Sequence, residues 1–521
     1  MIWTVLRRDL HANLLNFRFA GALLLTVVLS ILTAYVNTVE YNLRYDSYRQ
    51  ELKQVQDGLA AATVYGQALP DVVLPPKPLS VFSRGVDHSV GSTVFLSLRQ
   101  LPTSPAWSFG RRDSHLMKSL NQLDFATVVA VVIGFLAVTL GFDAICGEGE
   151  DGTLRQLLSN PLPRAHLVFA RLLSGSLTLA VPIAVGFLLS VVVLVANAPV
   201  PLTGEDWLRL GLFLALTCLF VSQVYGLSLL VSACTYSRAT SLTICLFCWL
   251  VGAVVYPSAL PSVARHAILV TPLQEFRDVR QRITEEYERQ VAAWEQQNPS
   301  PGPLYLEGLW QRGVLRFARP EGYDWMARRN AYEIEKQLDA AGQDYHALWD
   351  HQEEFAQQAL LAERWSIASP FTNYRALTQQ LAVTTMADKF RLTALARQYR
   401  QSCLDYLRGK GAFSSWRWFT DDQPGQTPMV QDPEGLDAAS RQPDSPYMKV
   451  RREWAAQQQR MAVGDLGRRL DVTDMPKFAW RSERTLPESL ATMVPGLVWA
   501  LLLYGATWLG AILRFDRYRL T

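Results

Sequence analysis

The chain has 521 residues, is 49% hydrophobic and 19% charged, and carries a formal net charge of +3, too small for this length to organise a basic nucleic-acid-binding surface. A mean hydropathy of +0.06 hides a sharp division between long apolar runs and polar stretches rich in Arg, Gln and Glu. Five of the six cysteines (Cys146, Cys218, Cys234, Cys245, Cys248) lie in or beside the apolar runs and the sixth is Cys403, so no disulfide framework and no zinc-ligand spacing can be built.

A membrane-spanning helix needs about 20 mostly apolar residues. The first such run is residues 17–36, preceded by Arg7 and Arg8 and carrying Arg18. It is longer than a signal-peptide core, and no small-x-small cleavage site follows it, so it reads as an uncleaved anchor. Residues 125–142 return the chain. After a charged loop come runs at 167–196, interrupted by Pro182, at 207–233, and at 240–258, with only TYSRAT between the last two. The sixth is 490–513, followed by Arg514, Arg517 and Arg519. Six spans put both termini on one side. The arginines at 7, 8, 155, 164, 171, 238, 514, 517 and 519 then share that side, which the positive-inside rule makes cytoplasmic. The expected organisation is a terminal segment and first span (1–36), a first outside segment (37–124), spans two to five (125–258), a second outside segment (259–489), and the last span with its tail (490–521).

Beyond span one, Tyr41, Tyr45, Tyr48, Leu52 and Val55 recur at helical spacing, which predicts that the span continues outward as a stalk ending before Pro70, Pro75, Pro76 and Pro78. The stretch around 81–101 alternates enough for a short strand or two. The second outside segment reads as mostly helical. Phe276, Val279, Ile283, Tyr287 and Trp294 form one stripe, and helices are expected over about 325–367, 374–407 and 447–470, with a loop at 421–446. His346 and His351 flank Asp350 at a spacing that does not suit a helical zinc site, so they read as exposed histidines.

The loop CGEGEDGTLRQLLSNPLPRAH between spans two and three carries the strongest pattern. Glu148, Glu150 and Asp151 precede Gly152, Thr153 and Leu154. An apolar stripe of Leu154, Leu157 and Leu158 follows, then Pro161 and Arg164. Acidic residues at the start and a proline stop describe a short amphipathic helix at the membrane surface. It fits either a docking element for a partner or a plain connector. Within span four, Ser222, Gln223 and Tyr225 are polar groups at membrane depth. They line a path or tie helices together.

These residues resemble the permease subunits of ABC-2 type exporters. In that family a glutamate-rich element ending in Gly-Thr-Leu, then a short helix, a Pro and an Arg, lies between the second and third spans. Glu148, Glu150, Gly152, Thr153, Leu154, Pro161 and Arg164 match it. The order of spans and outside segments also fits. Ser369-Pro370-Phe371, Tyr374-Arg375, Phe390 and Tyr399-Arg400 are similar to a pattern in the subgroup with an extended periplasmic domain. The resemblance implies a mainly α, six-helix permease of the bacterial inner membrane with a coupling helix at about 148–160. It further implies a cytoplasmic ATPase subunit holding ATP and magnesium, a second permease subunit, identical or not, contact with membrane lipid, and periplasmic or outer-membrane components as further partners. This sequence has no phosphate-binding G-x-x-x-x-G-K-[ST] loop and no G-x-S-x-G, so the chain itself reads as a permease rather than an enzyme, with no cofactor and no metal of its own. The alternative is a membrane-anchored sensor acting through its outside domain, disfavoured by the short cytoplasmic parts.

Overall fold

The computed structural model describes residues 2–15, 17–87, 93–102, 123–154, 163–269, 272–301, 308–311, 314–317, 320–421, 442–446, 448–449, 452–453, 456, 469–478 and 484–517. The chain is mainly helical, and six of its helices are long and apolar enough to cross a membrane. A short helix, α1 (Ile2–Leu14), comes first, with Leu6 buried and Trp3 exposed. The spans are α2 (Phe17–Ala60), α3 (residues 125–141), α5 (Arg164–Asn197), α6 (Gly204–Cys234), α7 (residues 238–267) and α12 (Leu486–Asp516). Between α3 and α5 lies the one-turn α4 (Cys146–Glu150).

Sequence explains the ends of these helices. Asp124 caps α3 by accepting from the Thr127 amide at 2.7 Å. Thr203 and Asp206 form a capping box at the start of α6. Pro182 sits inside α5, which continues through it, as expected where neighbouring helices surround the chain. The spans pack around one core. Near its stalk end, Phe82, Phe125, Phe187 and Phe213 cluster with ring centroids 5.2 to 6.0 Å apart.

α2 runs unbroken for 44 residues, so its outer part is the expected stalk, ending at Ala60, ten residues before the first of the prolines. Polar groups fasten its base. Asn37 donates to the Val81 carbonyl at 2.9 Å, Glu40 pairs with Arg84, and Arg44 meets Asp87 at 2.8 Å. The short strands are Val72–Val73 (β1) and Thr93–Val94 (β2), antiparallel with Val72 opposite Val94.

The segment after α7 is built on two long antiparallel-packed helices, α8 (Leu273–Gln297) and α9 (Pro320–Ser366), with a hairpin of β3 (Gly308–Gln311) and β4 (Val314–Phe317) between them. Trp294 stacks on Tyr332 at 5.7 Å, and Arg329 joins Glu295 to Glu333. The helix expected over 447–470 and the loop expected at 421–446 fall almost wholly outside the described residues.

One expectation needs correction. The single helix expected over 374–407 is two, α10 (Pro370–Ala382) and α11 (Met386–Gly409). Val383 breaks them with φ 57, and Thr385 with Asp388 makes a new capping box at once. The break separates two environments. α11 packs against the body built on α8 and α9, with Leu404 and Leu407 beside Ile334, whereas α10 is buried among the spans, against α6 and α12.

α10 enters deeply. Ser369 Oγ donates to the Gly252 carbonyl at 3.1 Å. Gly252 is 14 residues into α7, about 21 Å at 1.5 Å per residue, close to the middle of that 30-residue helix. Tyr374 stacks on Phe220 at 4.5 Å and its hydroxyl lies 2.9 Å from Thr217. Asn373 donates to the Gly496 carbonyl at 2.9 Å. Both α3 and α7 depart from α-helical winding beside this tip, with π-helical turns at Val129–Ile133 and Val251–Val255.

Candidate functional site: the charged turn between the second and third spans

α4 is too short to stand alone, since nucleating a single turn is unfavourable. Arginines from two spans hold it. Arg171 of α5, only 5% exposed, pairs with Glu148, donates to the Ala144 carbonyl, and lies 4.0 Å from Asp9 of α1. On the other side Arg238, at the start of α7, pairs with Asp151 and sits 3.6 Å from Glu150. Its backbone amide donates to Glu150 at 3.0 Å, and its guanidinium donates to the Gly147 carbonyl at 3.1 Å. The turn is therefore clamped between α5 and α7, with α1 alongside. A guanidinium this buried needs these partners, because burying a charge unpaired is costly.

Gly152 then turns the chain with φ 72, a conformation that disfavours side chains. Thr153 Oγ1 lies 3.4 Å from the Glu148 carbonyl. Leu154 is 0% exposed and belongs to the chain's own core. The expectation that Leu154 is presented to a partner is thereby corrected, because its side chain fills space between the spans. Leu157, Leu158 and Pro161 lie outside the described residues. Arg164, at the start of α5, donates to the carbonyls of Asp516 at 2.8 Å and Phe515 at 3.4 Å. It satisfies the last turn of α12, as a cation at a helix C-terminus does.

The polar residues of α6 divide. Ser222 lies 2.6 Å from Ser176 and 3.0 Å from the Tyr504 hydroxyl, joining α5, α6 and α12. Tyr225 reaches the Arg171 carbonyl at 3.4 Å, and its ring lies where a side chain at Gly175 would be. Both residues tie helices together. Gln223 is 4% exposed and has no hydrogen-bond partner among the described residues.

Three features are not evident from the sequence alone. α1 looks like a basic flank, and only Val5 and Leu6 at helical spacing from Asp9 point to a packed helix. Arg171 looks like one more cytoplasmic-side charge. Arg209 is a single charge inside an apolar run. It is 4% exposed and donates to the carbonyls of Leu381 and Arg484 and to Ser489 Oγ, fastening the end of α10 to α6 and α12.

Comparison with known proteins fits this arrangement. A permease of an ABC transporter designated NosY from Pseudomonas aeruginosa, assigned as probable, is 33% identical over 106 residues, covering 20% of this chain and 38% of that protein. The NosY of Stutzerimonas stutzeri is 36% identical over 62 residues, covering 12% of this chain and 22% of that protein. The chain thus spans well under half the length of these relatives. The family described as ABC-2 family transporter protein matches residues 3–518. With six candidate spans and nearly every residue inside that match, the chain belongs to the ABC-2 transporter family as a multi-pass membrane permease.

Proposed function

We propose that this chain is the transmembrane subunit of an ATP-driven exporter of the bacterial inner membrane, with α4 and both termini in the cytoplasm and the stalk side outside. ATP and magnesium would be held by a separate ATPase subunit docking on residues 146–164, and a second permease subunit, identical or not, would complete the pathway. The observation that carries the reading is the clamp of Glu148, Glu150 and Asp151 by Arg171 and Arg238. A push on α4 reaches α5 and α7 through charge pairs, not through a flexible loop. Because α4 is continuous with the core through Leu154, movement there is movement of the bundle. The substrate is a lipid, glycolipid, peptide or small compound that crosses between the spans. Periplasmic or outer-membrane components are further partners that the outside body can meet.

The test is co-purification of the ATPase from detergent-solubilised membranes, followed by ATP hydrolysis in lipid. Replacing Leu157 and Leu158 with Asp should release the ATPase. Burying each leucine in a partner groove is worth roughly 1.5–3 kcal/mol, so losing both should be visible as loss of assembly. Arg171→Gln should keep the ATPase bound and sever hydrolysis from transport. Full assembly and coupled hydrolysis in both variants would remove residues 146–164 from this role.

A further inference from the structure

The hairpin of β1 and β2 has two faces, because successive side chains of a strand point to opposite sides. Val72, Leu74, Val94 and Leu96 form one face and pack against Leu392 and Ala396 of α11. Asp71, Val73, Thr93 and Phe95 form the other, which looks onto the stalk. There Glu51, Val55, Gly58 and Leu59, one stripe of α2 at helical spacing, complete a groove of about 480 Å³. That volume falls within the range of small-molecule sites, about 300–1,000 Å³. Phe95 is 62% exposed in its wall, and a side chain built on Gly58 would meet nothing within 4 Å, so the groove is open there.

Both charged residues lining the groove are acids. Glu51 accepts from the Thr93 hydroxyl at 2.5 Å and Asp71 from the Leu96 amide at 2.9 Å. Among the described residues no Lys or Arg lines the groove, and neither carboxylate has an ion-pair partner. Asp71 is half-buried, and that burial pushes its carboxyl up, with the Leu96 amide only partly opposing it. A carboxylate drawn out of water without a counter-charge is costly, and a cation placed beside it removes that cost. The two donors, Thr93 and Leu96, stand three residues apart, roughly 10 Å of extended chain. One metal ion holds its oxygens about 2.0–2.6 Å away, so this spacing suits a longer molecule. The α2 wall, residues 51–59, is about 12 Å long, too short for a stable protein interface, which covers about 800 Å² on each partner.

We propose that this groove binds a small organic cation with an apolar body, an aryl- or alkylammonium, beyond the end of the membrane-spanning bundle. Glu51 and Asp71 take the cationic group through charge-assisted hydrogen bonds. The face of Phe95 offers a cation–π contact, and Val55, Leu59 and Leu69 cover the apolar part. The site stands on the hairpin, the stalk and their charges, and does not depend on the permease reading.

The experiment titrates the purified full-length chain in detergent with phenethylammonium, by isothermal calorimetry. Its neutral counterpart 2-phenylethanol and its anionic counterpart phenylacetate are run in parallel. The wild type should bind the ammonium saturably and about tenfold or more tighter than the alcohol, the scale of one charge-assisted contact. Phenylacetate should bind more weakly still. Glu51→Gln and Asp71→Asn keep an acceptor for Thr93 and Leu96 and remove the charge, so each should lose most of that preference. Gly58→Leu fills open space on a helix that leucine favours, so it should stay folded and abolish binding of all three compounds. Thermal unfolding checks every variant. Equal binding of ammonium and alcohol by the wild type would overturn the proposal, as would uptake without saturation, which marks partition into detergent. So would a preference unchanged in the folded amide variants, or ammonium binding that survives Gly58→Leu. Displacement of the ammonium by equimolar magnesium or calcium would mark a metal site and overturn it as well.

Discussion

At the scale of single residues, the buried arginines do the most. Arg209 supplies donors to two carbonyls and a hydroxyl where water is excluded. Arg209→Met keeps the bulk and removes the donors. Each buried carbonyl left without a donor costs about 1–3 kcal/mol, so the thermal midpoint in detergent should fall clearly. An unchanged midpoint would show that water reaches these carbonyls. Gly175 makes a second test. Tyr225 occupies the space of its missing side chain, so Gly175→Ala should force α5 and α6 apart. Gly175→Ala with Tyr225→Phe should remain destabilised, because the ring rather than the hydroxyl fills the gap. Pairing with Tyr225→Ala should restore the midpoint toward that of Tyr225→Ala alone. Neither residue was legible in advance. Arg209 was one charge inside an apolar run, and Gly175 was one glycine in a helix.

At the scale of elements, the break between α10 and α11 is the informative feature. Val383 is β-branched and holds a left-handed conformation, which costs on the order of 1–3 kcal/mol. The burial of Phe371, Tyr374, Leu377 and Leu381 on α10 compensates. Val383→Gly should raise the thermal midpoint or leave it unchanged. A marked fall would mean that the valine side chain contributes packing that outweighs the strain. The base of α11 is anchored by Lys389, 2.7 Å from Asp87, which also meets Arg44 at 2.8 Å. Burial pushes the Asp87 carboxyl up, but the Lys389 ammonium and the Arg44 guanidinium outweigh it and hold the group below its ordinary value. A depressed carboxyl stabilises fully above the unfolded value, near 4, and the contribution disappears as pH falls through the folded value beneath it. Stability from this group should therefore be flat from neutral pH down to about 5 and decline below about 4. Asp87→Asn should lack that acid-side decline when midpoints are compared across pH. The capping pairs of α6 and α11 were readable in the sequence as Thr203 with Asp206 and Thr385 with Asp388, yet the second pair lay inside a helix expected to be continuous. Local signals there favoured both a helix and a new start.

At the scale of the whole molecule, the placement of α10 changes how the segment between the fifth and sixth spans should behave alone. Residues 265–485 expressed separately carry α10 without its bundle, leaving Phe371, Tyr374, Leu377 and Leu381 uncovered. The fragment should aggregate or bind a hydrophobic dye, and a fragment that stays monomeric without dye binding would show that α10 finds cover within that body. Topology has its own test. With native cysteines removed, a cysteine at Ser300 should react with an impermeant reagent on intact spheroplasts while one at Ser159 should not, and the reverse pattern would invert the proposed orientation. The sequence by itself determined six apolar runs, the helical extension of the first, the mainly helical character of the segment between the fifth and sixth, and the acidic turn, because apolar length, helical period and loop charge are local properties of the chain. Only the tertiary structure decided that Leu154 faces inward, that Arg171 and Arg238 clamp α4, and that α10 enters the bundle. Those outcomes depend on which surfaces far apart in sequence can bury each other. Four apolar residues at helical spacing look the same whether they cover an outside core or a space between membrane helices.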